Sequence, residues 1–290
     1  MKVVVTGAGG QLGEELCATP PSGVKLHPYS SDALDVTNQA LIDRTIRSLR
    51  PDVIINAAAY TDVDRAETQS DMAYAVNSNG AGYLASAARN VGAKLVHIST
   101  DFVFDGSRCK PYLPTDQPGP LSVYGASKLA GEERIASLIS HSLIIRTSWL
   151  YSIYGRNFVT TMLHLMQERR ELSVVTDQIG APTWACELAK GIWLSIELDL
   201  TGTHHWTDSG IASWYDFAVA IQEEALDLGI LERSISINPV RTKDYPTAAR
   251  RPAYSVLDRE SMINTLGYTP PHWRVNLRKM LKNLKGISNG

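Results

Sequence analysis

The chain of 290 residues holds only three cysteines. Cys17, Cys109 and Cys186 are scattered, with no Cys-x-x-Cys spacing, so they make neither a disulfide framework nor a thiolate zinc site. Free thiols of this kind fit a reducing compartment, and a cytoplasmic location is expected. Long apolar runs are missing as well. None approaches the roughly 18 to 20 residues that a membrane-crossing helix needs. The first run, Val3 to Val5, passes straight into glycines instead of lengthening into a secretory core, so no signal peptide is expected. Excess charge is absent too. With 28 basic and 30 acidic side chains the formal net charge is -2, which leaves no electrostatic case for nucleic acid or an anionic membrane as a partner. Internal repeats, heptads and low-complexity tracts are also missing.

What is present is the composition of a packed protein, 44% apolar and 20% charged, which argues against disorder. The first half alternates short β-branched runs with helical patterns. Strands are expected at Lys2 to Thr6, Val24 to His27, Asp52 to Asn56, Lys94 to Thr100 and Leu143 to Thr147. Helices are expected from Gln11, over Gln39 to Leu49, over an alanine-rich Met72 to Asn90, and over Tyr124 to Ile139. This βα alternation predicts a Rossmann-like α/β fold, a doubly wound parallel sheet covered by helices on both faces. After Thr147 the regularity fades. Helices are expected at Phe158 to Gln167, Cys186 to Ile196 and Trp214 to Leu228, strands at Leu172 to Val175 and Thr203 to Trp206, and a tail rich in proline and arginine at Asn238 to Pro252. The expected division is a dinucleotide-binding domain over 1–150, with a returning segment at about 185–207, and a smaller, interleaved substrate-binding lobe over 151–290.

Gly7, Gly10 and Gly13 form G-x-x-G-x-x-G directly after a strand and at the opening of a helix. The first permits the tight turn, the second lets backbone approach a pyrophosphate, and the third lets helix pack on sheet. Free N–H groups at the helix start then face the phosphates. After the second strand, where an acid often binds the adenosine ribose, stand Tyr29, Ser30 and Ser31. No acid is there to repel a 2′-phosphate and no cation to grip one, so NADPH and NADH both stay open, with NADPH slightly favoured. Asp35 and Val36 are candidates for the adenine, with a helix-entry turn as the equal alternative for Asp35. Ala57 to Thr61, after the third strand, are candidates for lining the dinucleotide.

Tyr124 and Lys128 are spaced by four residues, hence one turn apart on one helix face. Reduction of a ketone needs a hydride, which a nicotinamide supplies, and a proton, which the protein supplies. A phenol has a reference pKa of about 10, and a nearby ammonium lowers it by favouring the phenolate. Thr100, at the carboxyl end of an apolar strand, is placed to hydrogen-bond the substrate oxygen. A Tyr-x-x-x-Lys alone is most often a surface pair. The preceding Ser99-Thr100 strand end and the glycine loop turn the reading toward catalysis by Thr100, Tyr124 and Lys128.

Longer runs add a resemblance. They are Asn56 to Glu67, Ser99 to Gly106, Tyr124 to Glu132, Arg146 to Tyr151, Asp177 to Thr183 and Tyr245 to Pro252. Through them nearly the whole chain resembles the extended short-chain dehydrogenase/reductase family, in its branch of nucleotide-sugar 4-ketoreductases. The resemblance implies reduction of the 4-keto group of dTDP-4-dehydro-6-deoxy-L-mannose to dTDP-L-rhamnose, with a dTDP-linked keto sugar as the partner and a monomer or homodimer as the assembly. It implies Gly10, Gln11 and Leu12 at the pyrophosphate, Asp35 and Val36 at the adenine, and Ala59, Tyr60 and Thr61 along the dinucleotide. Thr100 and Asp101 would meet the sugar, with Tyr124 as proton donor, Lys128 as cofactor anchor and Trp149 packed on the sugar nucleotide. Trp149 read alone is a core tryptophan. Arg250 and Arg251 face the diphosphate or form a solvated pair. Some members carry Mg2+ at a dimer contact built on a glutamate after the glycine loop. Glu15 holds that position, with Glu187 as a candidate partner, and the other reading of Glu15 is a first-turn acid favoured by the helix dipole. Two rivals remain: another nucleotide-sugar 4-ketoreductase, and a non-catalytic cofactor-binding regulatory subunit. The intact tyrosine and lysine weigh against the second. A dehydratase would carry Asp-Glu after the threonine, where this chain has Asp101-Phe102.

Overall fold

The computed structural model describes residues 1–288. Six strands form one parallel sheet, in the order Gly202–His205, Leu143–Thr147, Lys94–Thr100, Val53–Asn56, Lys2–Thr6, Lys25–Tyr29. The chain therefore runs to one side of the first strand and then crosses to the other. That reversal opens a crevice beside the carboxyl end of Lys2–Thr6.

The apolar runs are buried on both faces, as a covered parallel sheet requires. Val3, Val5, Ile55 and Ile145 pack with Leu12, Leu16, Leu188 and Ile192, from the helices Gln11–Ala18 and Ala185–Glu197. Val4, Ile54 and Ile144 pack on the opposite face with Ile42, Ile46, Leu84 and Ile135, from Gln39–Leu49, Ala81–Val91 and Val123–Leu138. A second core lies in the C-terminal lobe, where Phe158–Glu168, Trp214–Asp227 and Trp273–Ser288 pack around Phe217 and Trp273. Capping boxes start two of these helices, Asn157 with Thr160 and Ser213 with Asp216.

Three differences from the sequence expectation have physical causes. The single alanine-rich helix is instead a helix Ser70–Tyr74, a π-helical segment Ala75–Gly80 and a helix Ala81–Val91. Alanine periodicity carries no mark of the wider turn, which is set by what Asn77 reaches. Its amide nitrogen donates to Tyr60 O and Ser127 Oγ, and its oxygen accepts from Tyr60 N. The second strand runs to Tyr29 because Thr6 pairs with it. A strand for which no element was expected, Ser236–Val240, overlaps the start of the proline- and arginine-rich tail and runs parallel to Glu171–Val175. Pro239 is tolerated there because the ribbon has only two strands and leaves an outer edge free of ladder bonds. Beyond it, Ala253 O and Ser255 N bond Ile179 while Val256 O accepts from Tyr112 N, stitching the tail across both lobes.

Candidate active site

A cleft of about 540 Å³ lies at the carboxyl ends of the sheet strands. It brings together Gly10, Gln11, Leu12, Ala59, Thr61, Thr100, Asp101, Tyr124, Lys128 and Trp149. Gly7 turns the chain at φ +70°, and a Cβ there would come within 2.6 Å of Ala58 N. At Gly13 a Cβ would lie 2.2 Å from Gly7 O, so these two glycines serve close packing behind the cleft. Gly10 is the N-cap of Gln11–Ala18 with no side-chain cap, which leaves the first-turn N–H groups for an anion. Gln11 Oε1 is buried with no hydrogen-bond partner among the described residues, which also fits a polar ligand.

Asp35, Val36 and Tyr60 stand outside this cleft. Asp35 Oδ1 accepts from Thr37 N and Oγ1, closing the turn into Gln39–Leu49, and Val36 is part of the core. Tyr60 donates its hydroxyl to Gln69.

Ser122 caps Val123–Leu138 by accepting from Gly125 N, and so starts the helix that carries both Tyr124 and Lys128 into the cleft. Tyr124 and Thr100 line the cleft together, and the Thr100 hydroxyl donates to Asp101 Oδ1 at 3.1 Å. Burial pushes the Tyr124 phenol up to about 12, and the Asp101 charge adds to this. Sequence reasoning expected the opposite direction, from an adjacent ammonium. The correction has a clear cause. Lys128 Nζ is directed down to the Ile98 carbonyl, at 2.6 Å, so burial prevails at the phenol. Lys128 itself is 1% exposed, and desolvation pulls it down to about 8. Asp101 is pushed up to about 6 by burial, against the nearby Ser255 hydroxyl and the hydrogen bond from Thr100.

Trp149 is half-buried in the cleft wall with φ 47°, and its indole stacks on Trp214 at 3.6 Å and 6°. A non-glycine residue held in the left-handed region marks a place where surrounding structure imposes a side-chain direction. Trp214 and Arg251 also line a neighbouring cavity of about 640 Å³, with Phe158, Gln178 and Thr247. Arg251 forms two bonds to Asp64, at 2.6 and 3.2 Å, whereas Arg250 is exposed and outside both cavities.

The chain matches the family described as "RmlD substrate binding domain" over residues 1–285. It is 42% identical to a dTDP-4-dehydrorhamnose reductase of Aggregatibacter actinomycetemcomitans, over 99% of both chains. It is also 42% identical to the spore coat polysaccharide biosynthesis protein SpsK of Bacillus subtilis, over 97% of both. A solved dTDP-4-dehydrorhamnose reductase of Bacillus anthracis, in complex with NADP, superposes with TM-score 0.92 at 41% identity, over 97% of this chain and 99% of that one. The chain belongs to the dTDP-4-dehydrorhamnose reductase family.

Among the described residues magnesium finds no ready site. Glu15 is 4% exposed and accepts from Ser152 Oγ, while Glu187 accepts from the Tyr268 hydroxyl. Among the described residues no three His, Cys, Asp or Glu side chains stand together as ligands would. The first-turn acid of the helix is Glu14, so the dipole reading of Glu15 is corrected as well.

Several residues of the site escaped the sequence reading. Glu132, on the helix Val123–Leu138, forms a buried pair with Arg146 at 2.6 Å, and Ser99 Oγ donates to Glu132. Asn56, Asn77, His97 and Trp214 were also missed. Asn56 and His97 left a trace, since Asn56 closes the apolar run Val53 to Ile55 and His97 interrupts the apolar run Leu95 to Ile98. Trp214 left none, because its place depends on packing between lobes.

Proposed function

We propose that this protein reduces the 4-keto group of dTDP-4-dehydro-6-deoxy-L-mannose with NADPH, giving dTDP-L-rhamnose. The observation that carries the reading is that one cleft at the strand ends holds Thr100, the Tyr124 phenol and, one helical turn on, a buried lysine, Lys128. The names of the relatives supply the sugar, and the NADP of the Bacillus anthracis structure supplies the cofactor.

The residues present fit a dinucleotide. Gly10, Gln11 and Leu12 would take the pyrophosphate, Ala59, Tyr60 and Thr61 the middle, and Asp35 and Val36 the adenine end. Lys128 would hold the nicotinamide ribose. When bound, the nicotinamide supplies the hydride. Every other task falls to the chain. With its pKa raised to about 12, Tyr124 is a phenol at neutral pH, the form that can give its proton to the ketone oxygen. Thr100 Oγ1 orients that oxygen beside the phenol. The phenolate left behind is disfavoured by burial and by Asp101, so the Lys128 cation on the same helix face stabilises it. Trp149 and Trp214 offer aromatic faces to the sugar nucleotide, and Arg251 offers its guanidinium to the diphosphate in exchange for Asp64.

The test is cofactor oxidation with this keto sugar, with both nicotinamides, and with the product identified by NMR. Turnover confined to a different nucleotide keto sugar would overturn the substrate, and no turnover on any of them would overturn the reductase.

A further inference from the structure

Behind Lys128 a buried polar chain crosses the floor of the sheet. Thr6 Oγ1 donates to Asn56 Oδ1 at 2.9 Å. Asn56 Nδ2 stands 3.0 Å from His97 Nδ1, and His97 Nε2 stands 3.4 Å from Lys128 Nζ. Thr6, Asn56 and His97 lie on three adjacent strands, and none of the four side chains is more than 2% exposed.

The backbone sets the hydrogens along this chain. Ala58 N–H is a donor whatever its surroundings, and it points at Asn56 Oδ1 at 3.2 Å. That atom must therefore be the carbonyl oxygen, and Asn56 Nδ2 is a donor only. His97 Nδ1 then accepts. A neutral imidazole with an accepting Nδ1 carries its one proton on Nε2. So Nε2–H faces Lys128. A second ring proton would set N–H against N–H at Asn56, and burial with the nearby Lys128 charge holds the ring well below its ordinary pKa.

We propose that His97 is a positioning residue for Lys128: locked as the neutral Nε2–H tautomer by Asn56, it denies the amine a second acceptor on the strand beside the Ile98 carbonyl and turns its remaining hydrogens to the cleft. This rests on the reading of Lys128 as the lysine that binds cofactor and serves Tyr124. Two consequences follow from the geometry. First, the ring cannot take a proton from Lys128, because Nε2 is already occupied. The inner end of the cleft is closed to protons, and Tyr124 is reprotonated from the open side. Second, an ammonium opposed by N–H is disfavoured. Burial acts in the same direction on Lys128, against the Glu132 carboxylate one turn along the helix. The titratable and charged groups around the amine are thus His97 from the strand, Tyr124 and Glu132 from its own helix, Arg146 paired with Glu132, and Asp101 beyond the phenol.

The experiment starts with the intact protein carrying 15N-labelled histidine. The His97 ring nitrogens are expected to report an Nε2–H tautomer that does not change as pH rises across neutrality. An Nδ1–H tautomer, or a titrating imidazolium, overturns the proposal. Asn56→Asp then reverses the polarity. Its carboxylate still accepts from Ala58 N and Thr6, but toward the ring it can only accept. His97 is expected to move its proton to Nδ1 and offer Nε2 to Lys128. The pH at which NADPH affinity falls is expected to rise by about one unit as the ammonium gains an acceptor. An unchanged profile in a folded variant overturns the proposal. Should Asn56→Asp fail to fold, His97→Asn keeps an acceptor for Asn56 Nδ2 and removes the donor at Lys128, so the same upward shift is expected and its absence is equally decisive. None of these readouts needs the sugar. A wild type with the expected tautomer and pH profile but no turnover would remove the function proposed above and leave His97 in place.

Discussion

Gly131 sits inside the helix Val123–Leu138, where a glycine is the wrong residue by propensity alone. Replacing it with alanine at an interior helical position ordinarily stabilises by about 1 kcal/mol. Here the sign is expected to reverse. A Cβ at 131 would lie 2.2 Å from Asn77 O, the backbone of the π segment that crosses the helix at this point. Carbon and oxygen do not approach that closely, so the two helices must separate by the better part of an ångström. Such overpacking costs about 1–3 kcal/mol. The separation also strains the Asn77 bonds to Tyr60 and Ser127, each of them worth about 1 kcal/mol. The net expectation for Gly131→Ala is a loss of about 2–4 kcal/mol. The control is Gly82→Ala in Ala81–Val91. There the new Cβ meets the Arg134 side chain, nearest at Cδ, 3.3 Å away, a long side chain that can move, so the variant is expected to match or exceed wild-type stability. Urea denaturation of both variants measures the difference. A Gly131→Ala protein as stable as wild type would refute the argument, and so would equal losses in the two variants. Because the shifted helix carries Tyr124 and Lys128, turnover should fall in Gly131→Ala even where it is fully folded.

Tyr124→Phe is expected to lower kcat by about 10²- to 10⁴-fold while leaving NADPH affinity within a few-fold, since it removes the proton donor and keeps the ring; wild-type turnover would overturn the assignment. Glu132→Gln leaves the Arg146 guanidinium buried without its carboxylate and is expected to cost about 3–5 kcal/mol in urea denaturation. The same change removes the charge that supports the Lys128 ammonium, so the pH at which NADPH affinity falls should move down, and an upward move would contradict the electrostatics. Asp208 is fully buried and is pushed up to about 8 by desolvation. The folded protein therefore keeps a proton that the unfolded chain has released, and stability falls as pH rises from about 4 to about 8. Asp208→Asn keeps an acceptor for Trp184 N and is expected to flatten that slope by about 1.4 kcal/mol per pH unit. Superimposable wild-type and variant stability curves across that range would show the carboxyl to be ionised in the folded state.

The legible parts of this protein are those written in short stretches of chain. A β-branched run followed by Gly7, Gly10 and Gly13 can hardly be other than strand, loop and helix start, because each glycine answers a local steric demand. The four-residue interval of Tyr124 and Lys128 places both on one helix face whatever surrounds them. Burial on both faces of a parallel sheet leaves continuous apolar strands, so the βα order could be read to within a residue or two. The illegible parts depend on contacts between distant residues. The π segment answers to Asn77, which bonds across 17 and 50 positions. The stacking of Trp149 on Trp214 joins two lobes. A strand at Ser236–Val240 exists because Glu171–Val175 offers it an edge.

Charge shows the division most clearly. The sequence by itself determined which groups meet: a threonine at a strand end, a phenol and an amine one turn apart, a glycine loop before them. It could not determine their ionisation. That depends on how much water each group loses and which carbonyl, carboxylate or ring it meets instead, and those neighbours come from other strands. Only the tertiary structure buries Tyr124, raising it, and buries Lys128, lowering it. Only there does the amine meet both the Ile98 carbonyl and the His97 ring, because strand register decides which side chain of Lys94–Thr100 lies beneath the helix Val123–Leu138.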